Sequence, residues 1–227
     1  NQVLVATKVS GSHIKYDEIM RAAERSLRQL GVSSIDLYQV HWPNSNVPIG
    51  ETMRAMEELV DVGVVKHIGV SNFSVRDLEE ARGMMSKYPI VSNQVLYNLN
   101  KREIERELLY YCMQNHITIL AYTPLASGSL SNTSSVMGGV KRIVGKGDTS
   151  PGGVLKHIAD EVEKTPAQVA LNWCTAHPNV VAIPKANTVK HTEENCEAVG
   201  WYLSEDQMRR LDRAFPLKRD PKVYYRG

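Results

Sequence analysis

The chain has 227 residues, 42% hydrophobic and 23% charged, with 15 Gly and 10 Pro, a globular balance that excludes disorder, collagen and low-complexity polymers. Lys plus Arg number 27 against 25 Asp plus Glu, and this net charge of +2 gives no basic excess for nucleic acid. The 3 cysteines, Cys112, Cys174 and Cys196, lie far apart in no zinc or disulfide spacing, which points to a reducing, cytoplasmic setting.

No apolar run is long enough to span a bilayer. The first residues, Asn1 to Ala6, lack the charged n-region of a signal peptide. They also lack an initiator Met and enter an apolar run at once, so the chain reads as cut at its front.

In chain order, Val3 to Lys8 reads as a strand. Asp17 to Leu30 reads as a helix with Ile19, Ala22, Ala23, Leu27 and Leu30 on one stripe, closed by Gly31. Ile35 to His41 is a strand, Glu51 to Val62 a helix closed by Gly63, and Val64 to Ser71 a strand. Ser74 or Asn72 caps a helix over Val75 to Ser86. Ile90 to Val95 is a strand, Arg102 to Asn115 a helix, and Ile117 to Tyr122 a strand. Thr123 to Gly153 is rich in Gly and Ser and reads as a long loop. Helices follow over Val154 to Lys164 and over Pro166 to His177, with Pro166 at the first helical position. Val180 to Pro184 is the last strand. Helices at Thr188 to Val199 and Ser204 to Ala214 complete the chain. Met84 and Met85 read as core.

Strand starts recur roughly every thirty residues, the size of a βα unit. The strands are near-continuous apolar runs, as expected of parallel strands buried on both faces. Two architectures compete. An open doubly wound sheet would show G-x-G-x-x-G after a strand, and the sequence has none. A (β/α)8 barrel places polar functional groups at the carboxyl ends of its strands. Those ends here carry Lys8, His41, Ser71-Asn72, Gln94, Tyr122-Thr123 and Lys185. The expected fold is therefore α/β, a (β/α)8 TIM barrel. Only six strands are legible, so the first two βα units are expected to be missing from the front.

The strand ends, read in order, resemble the aldo-keto reductase family. The segments are Ala6-Thr7-Lys8-Val9, Asp36 to Pro43 (DLYQVHWP) and Gly69-Val70-Ser71-Asn72-Phe73. Asn93-Gln94-Val95, Ala121 to Leu125, Ala167 to Trp173, Ile183-Pro184-Lys185 and Glu194-Asn195 continue the series. The resemblance runs from Val3 to about Ala214, which makes residues 1–227 a single reductase barrel domain, strands three to eight plus the C-terminal helices. It implies hydride transfer from NAD(P)H to the carbonyl of an aldehyde or ketone. Lys8 and His41 match two members of a catalytic tetrad, and Trp42 matches a substrate-pocket wall. The tetrad Asp and Tyr would precede Lys8, and none of the chain's 10 tyrosines does. These exact residues are therefore expected not to reduce carbonyls at an enzymatic rate, although a longer parent would. The alternatives are a non-catalytic nicotinamide-binding scaffold or sensor, or an inactive fragment.

The resemblance also assigns a cofactor path. Ser71, Asn72 and Gln94 would meet the carboxamide, with Tyr122 stacking on the nicotinamide ring. Thr123, Leu125 and Ser127 would meet the pyrophosphate, and Lys185, Lys190, His191, Glu194 and Asn195 the adenosine end. Ala186 and His191 stand where the commonest pattern has Ser and Arg, and a 2′-phosphate prefers Arg. NADP is expected, with weak selectivity over NAD. His13, His67, His116, His157 and His177 form no metal pattern, and no metal is expected. The partner is a small carbonyl compound, with no nucleic acid and no membrane. The expected state is a monomer or a weak homo-oligomer.

Overall fold

The computed structural model describes residues 3–131 and 148–218. Six strands alternate with eight α-helices among these residues. The strands are β1 (Ala6–Val9), β2 (Ile35–Val40), β3 (Val65–Ser71), β4 (Ile90–Leu96), β5 (Thr118–Tyr122) and β6 (Val180–Ile183). The helices are α1 (Tyr16–Leu30), α2 (Ile49–Asp61), α3 (Val75–Met84), α4 (Leu108–Gln114), α5 (Pro151–Glu161), α6 (Pro166–Cys174), α7 (Val189–Cys196) and α8 (Glu205–Ala214). Hydrogen bonding links the strands in the order β1 to β6. The pairs β1–β2, β2–β3 and β3–β4 are parallel. A strictly sequential order has no reversal point, which separates it from the doubly wound sheet. It is the βα succession of a (β/α)8 barrel. No helix of the described residues is long and apolar enough to cross a membrane.

The chain divides into two compact units, Asn1–Val95 with Arg106–Leu120, and Leu96–Glu105 with Ala121–Gly227. In the first, α2 contacts both α1 and α3. Ile19 and Ala23 of α1, Met53, Met56 and Leu59 of α2, and Leu78 of α3 are buried, as are Tyr38, Val40, Ile68 and Val70 on the strands. Gly31 ends α1 in the left-handed region at φ 67°, where a Cβ would be strained. Ser74 caps α3 by accepting the Asp77 N–H, while the Asp77 carboxylate accepts the Ser74 N–H. Beneath α3, the buried Glu57 carboxylate accepts the N–H groups of Ser86, Lys87 and Tyr88 and the Ser86 hydroxyl. In the second unit, Trp173 of α6 packs against Tyr97 at 5.3 Å between ring centroids. Arg102 lies over the Trp173 ring at 5.0 Å and pairs with Glu105 and Asp212.

Three expectations are corrected. The single helix over Arg102 to Asn115 is a 3-10 turn at Glu103–Arg106 followed by α4, with Glu107 at φ −151° breaking the ladder. Arg102 and Glu105 are tied to each other, and to Asp212 and Tyr97, which holds the first turn tight. Helix α5 starts at Pro151 and not at Val154, because Ser150 caps it by accepting the Gly153 N–H. Met84 is 54% exposed and is not core. Of the long loop expected over Thr123 to Gly153, residues 132–147 lie outside the described residues.

Candidate active site

In the first unit, the parallel register sets Lys8, Gln39, Gly69 and Ser92 side by side across β1 to β4. Two residues further on, Ser71 stands beside Gln94. His41 follows β2, its N–H bonded to the Val9 carbonyl at 2.9 Å. Alternation along each strand puts Lys8, Gln39, Ser71 and Gln94 on one face, opposite the face of Val9, Tyr38 and Val70. The predicted Lys8, His41, Ser71, Asn72 and Gln94 therefore gather at the carboxyl ends of four strands.

Partial burial holds the Lys8 ammonium below the ordinary lysine value. Desolvation, and then the charge of Lys8, hold the His41 imidazole below its ordinary value. The Val9 carbonyl that accepts the His41 N–H directly follows Lys8 in the chain, which sets the two residues side by side. A neutral imidazole beside a cation can donate one N–H to a carbonyl oxygen. Trp42 is half exposed, its ring tilted against His41 at 4.6 Å between centroids. Gly11 makes room for it, since a Cβ there would lie 2.4 Å from the indole.

Ser71 and Asn72 are engaged by the protein. The Ser71 hydroxyl donates to the Gln94 carbonyl at 2.8 Å. The Asn72 amide donates to the His41 carbonyl at 3.0 Å and to Ser71 Oγ at 3.1 Å. Asn72 does so from the left-handed region at φ 60°, a conformation that is costly for a residue with a side chain. Gln94 differs: its Oε1 accepts from Gln39 Nε2 at 3.2 Å. Gln39 and Ser92 are buried partners that sequence reasoning missed. The available signal was a lone amide inside the apolar run Leu37 to Val40. Gly69 lets them meet, because a Cβ there would stand 2.3 Å from Ser92 Oγ. Gly69→Ala is expected to destabilise the protein by about 1–3 kcal/mol, the cost of overpacking. Thermal unfolding checks this, and an unchanged midpoint would mean that Ser92 turns away at no cost.

The second unit carries a cleft of about 550 Å³. The predicted Thr123, Leu125, Ser127, Lys185, His191, Glu194 and Asn195 all line it, together with Asn187, which sequence reasoning did not single out. Thr123, Ala126 and Ser127 sit at positive φ, and the Asn98 amide donates to the Thr123 carbonyl at 2.9 Å. Helix α7 begins at the cleft, capped by Thr188, which accepts the His191 N–H at 3.1 Å. The positive end of the helix and Lys185 thus face the same space. Gln168 donates to the Glu194 carbonyl and the Glu197 carboxylate, fixing α7 to α6. Lys190 lines an adjoining hollow with Lys164, Glu193 and Glu197, and Glu194 borders both this hollow and the cleft. Tyr122 is half-buried at the end of β5 and does not line the cleft.

The chain matches the Aldo/keto reductase family over residues 1–215. It is 35% identical over 216 residues to the methylglyoxal reductase YeaE of Escherichia coli, a match covering 95% of this chain and 70% of that protein. The thermostable aldo-keto reductase Tm1743, solved with the inhibitor epalrestat, superposes with a TM-score of 0.82 at 39% identity, covering 93% of this chain and 71% of that one. An aldo/keto reductase from Klebsiella pneumoniae, solved with NADP and acetate, superposes with a TM-score of 0.80 at 33% identity, covering 96% and 72%.

Proposed function

From the premise that the chain belongs to the aldo/keto reductase family, we propose that it serves NADPH-dependent reduction of small aldehydes or ketones to alcohols. The observation that carries the reading is Lys8 beside His41 at the strand ends, with the His41 imidazole held down by the Lys8 charge. His41 donates an N–H to the substrate oxygen and orients the carbonyl. The Lys8 ammonium favours negative charge on oxygen next to it, and Trp42 walls the substrate pocket.

NADPH supplies the hydride when bound. The donor sets suit it. Gln94 is buried and its Nε2 has no protein partner among the described residues, which fits a carboxamide oxygen. Lys185, His191, two asparagines and a helix N-terminus fit anionic phosphates. The thiols of Cys112, Cys174 and Cys196 are all free, which supports a reducing, cytoplasmic setting.

The test is aldehyde-dependent NADPH oxidation, with methylglyoxal as the first substrate because a relative is named for it. Alcohol formed in step with NADPH consumed supports the reading. Cofactor that is never consumed by any form of the protein holding Lys8 and His41 would sink it.

Lys185→Ala is expected to weaken NADPH roughly 10-fold, the worth of one charge-assisted contact, and NADH much less. Calorimetric titration of both cofactors checks this. Equal losses would place Lys185 at the pyrophosphate and not at the 2′-phosphate.

A further inference from the structure

The Trp42 indole rests directly on the backbone of Gly11. A Cβ at Gly11 would lie 2.4 Å from Cδ1 and Nε1 of the ring and 2.5 Å from the Trp42 carbonyl oxygen. Gly11 is the second residue of a turn that the His13 N–H closes on the Ser10 carbonyl at 2.9 Å. Its φ is not positive, so the turn itself would take a residue with a side chain. What requires glycine there is the indole.

Asn44, two residues beyond Trp42, pins that turn. Its Nδ2 donates to the Gly11 carbonyl at 2.9 Å, and its Oδ1 accepts the Asn46 N–H at 3.0 Å. Both partners are backbone groups, one able only to accept and the other only to donate, so the amide has a single orientation. Close packing does not back the segment on its other side, where Pro43, Asn44, Ser45, Val47 and Pro48 line a cavity of about 530 Å³. The indole also meets the His41 imidazole, at 4.6 Å between ring centroids. Withdrawal of the ring toward the turn would run into Gly11, and Asn44 keeps Gly11 from yielding.

We infer that Asn44 and Gly11 are positioning residues that hold the Trp42 ring against His41 and so decide which carbonyl compounds fit. This rests on the proposed reading of His41 and Trp42 as the groups that meet the substrate. A carbonyl oxygen held by His41 brings the carbon next to the carbonyl beside a ring that cannot retreat. A flat or unbranched group at that carbon passes the ring, and a fully branched one does not. The substrate class is small carbonyl compounds that are flat or unbranched next to the carbonyl, α-oxoaldehydes among them.

The experiment has two arms. The first needs no substrate and follows the protein by NMR at a pH where the imidazole is neutral. In wild type, cross-relaxation is expected between the Gly11 α-protons and the Trp42 ring protons, and the His41 ring protons should carry the ring-current shift of the indole. Asn44→Asp keeps the Asn46 bond but cannot donate to Gly11. It should move the His41 signals toward the positions they take in Trp42→Ala, with the Trp173 and Trp201 indole signals unmoved. Gly11→Ala, whose methyl group would displace the ring, should move the His41 signals as well. His41 signals unchanged in Asn44→Asp would overturn the proposal. Should the variants fail to fold, wild type decides, and absence of the Gly11–Trp42 cross-relaxation would overturn it.

In the second arm, any form of the protein that turns over is given methylglyoxal and 2,2-dimethylpropanal, whose carbonyl carbon bears a fully branched neighbour. Wild type is expected to favour methylglyoxal in kcat/KM. Asn44→Asp should narrow that ratio by roughly 5- to 10-fold, the worth of the lost hydrogen bond. The change should appear in KM for the branched aldehyde, with NADPH affinity unchanged. Turnover with the same ratio in Asn44→Asp would leave the reductase reading standing and overturn this proposal. No NADPH consumed with either aldehyde by any form of the protein would overturn the reductase reading, and the selection rule with it.

Discussion

Replacing Lys8 with methionine is expected to lower turnover by about 10²–10⁴-fold in any form of the protein that reduces aldehydes, the usual worth of an acid–base element. Methionine keeps the length and the apolar stem of lysine, so β1 and its register with β2 have no reason to change. What disappears is a partly desolvated cation beside His41, and such a charge acts more strongly out of water than in it. The substitution has a second signature that needs no substrate. Lys8 is the second cause, after desolvation, that holds the His41 pKa down. In Lys8→Met the imidazole should titrate at a higher pH than in wild type, read by NMR of the ring protons. An unmoved His41 would mean that the two groups do not share a site. Activity should also fall on the alkaline side at a lower pH than an ordinary lysine would allow, because burial lowers the Lys8 pKa and its charge is lost as pH rises through that value.

Glu57→Ala is expected to be the most destabilising single change among the polar residues of the first unit. One carboxylate oxygen accepts three backbone N–H groups, from Ser86 at 2.8 Å, Lys87 at 2.6 Å and Tyr88 at 3.2 Å, and the other accepts the Ser86 hydroxyl at 2.9 Å. Removing it orphans the turn after α3. A hydrogen bond to a charged group is worth about 1.5–3 kcal/mol, and the sharing of one carboxylate by four donors keeps the sum well below additive. A loss of about 3 kcal/mol follows, or roughly 6–12 °C in Tm for a chain of this size. Burial alone would raise the Glu57 pKa, but the bonds from Lys87, Ser86 and Tyr88 outweigh it and hold the carboxyl below the ordinary value. A depressed carboxylate gives its full contribution above the unfolded pKa of about 4.3 and loses it as pH falls through the folded value. The Tm gap between wild type and Glu57→Gln should therefore be open at neutral pH and close in acid. A gap that widens in acid would reverse the sign of the account.

Most elements were legible because their marks are local. Gly31 closes α1, Ser74 and Ser204 cap α3 and α8, and Pro166 opens α6, each through groups within four residues of the mark. The start of α5 was not legible, since Gly152 and Gly153 favour a loop and only the Ser150 cap recruits them into a helix. Lys8, His41, Ser71 and Gln94 stood out as polar residues ending apolar runs. Gln39 and Ser92 did not, because their meaning depends on the absent side chain of Gly69 on a strand between them. Helical phase explains the separation of neighbours on α7. His191, Glu194 and Asn195 are spaced i, i+3, i+4 and face the cleft, whereas Lys190, Glu193 and Glu197 form the adjoining stripe along another hollow, with Glu194 on the border of the two. Proximity in sequence put Lys190 with His191. The turn of the helix parts them.

The most direct test of the account is a titration of the purified chain with NADPH, followed by calorimetry and by cofactor fluorescence. The account predicts saturable binding of one NADPH per chain, tighter than NADH, weakened by Lys185→Ala and indifferent to Glu57→Gln at neutral pH. Absence of saturable NADPH binding by the folded protein at cofactor concentrations of about 1 mM, where even a dissociation free energy near 4 kcal/mol would register, would contradict it.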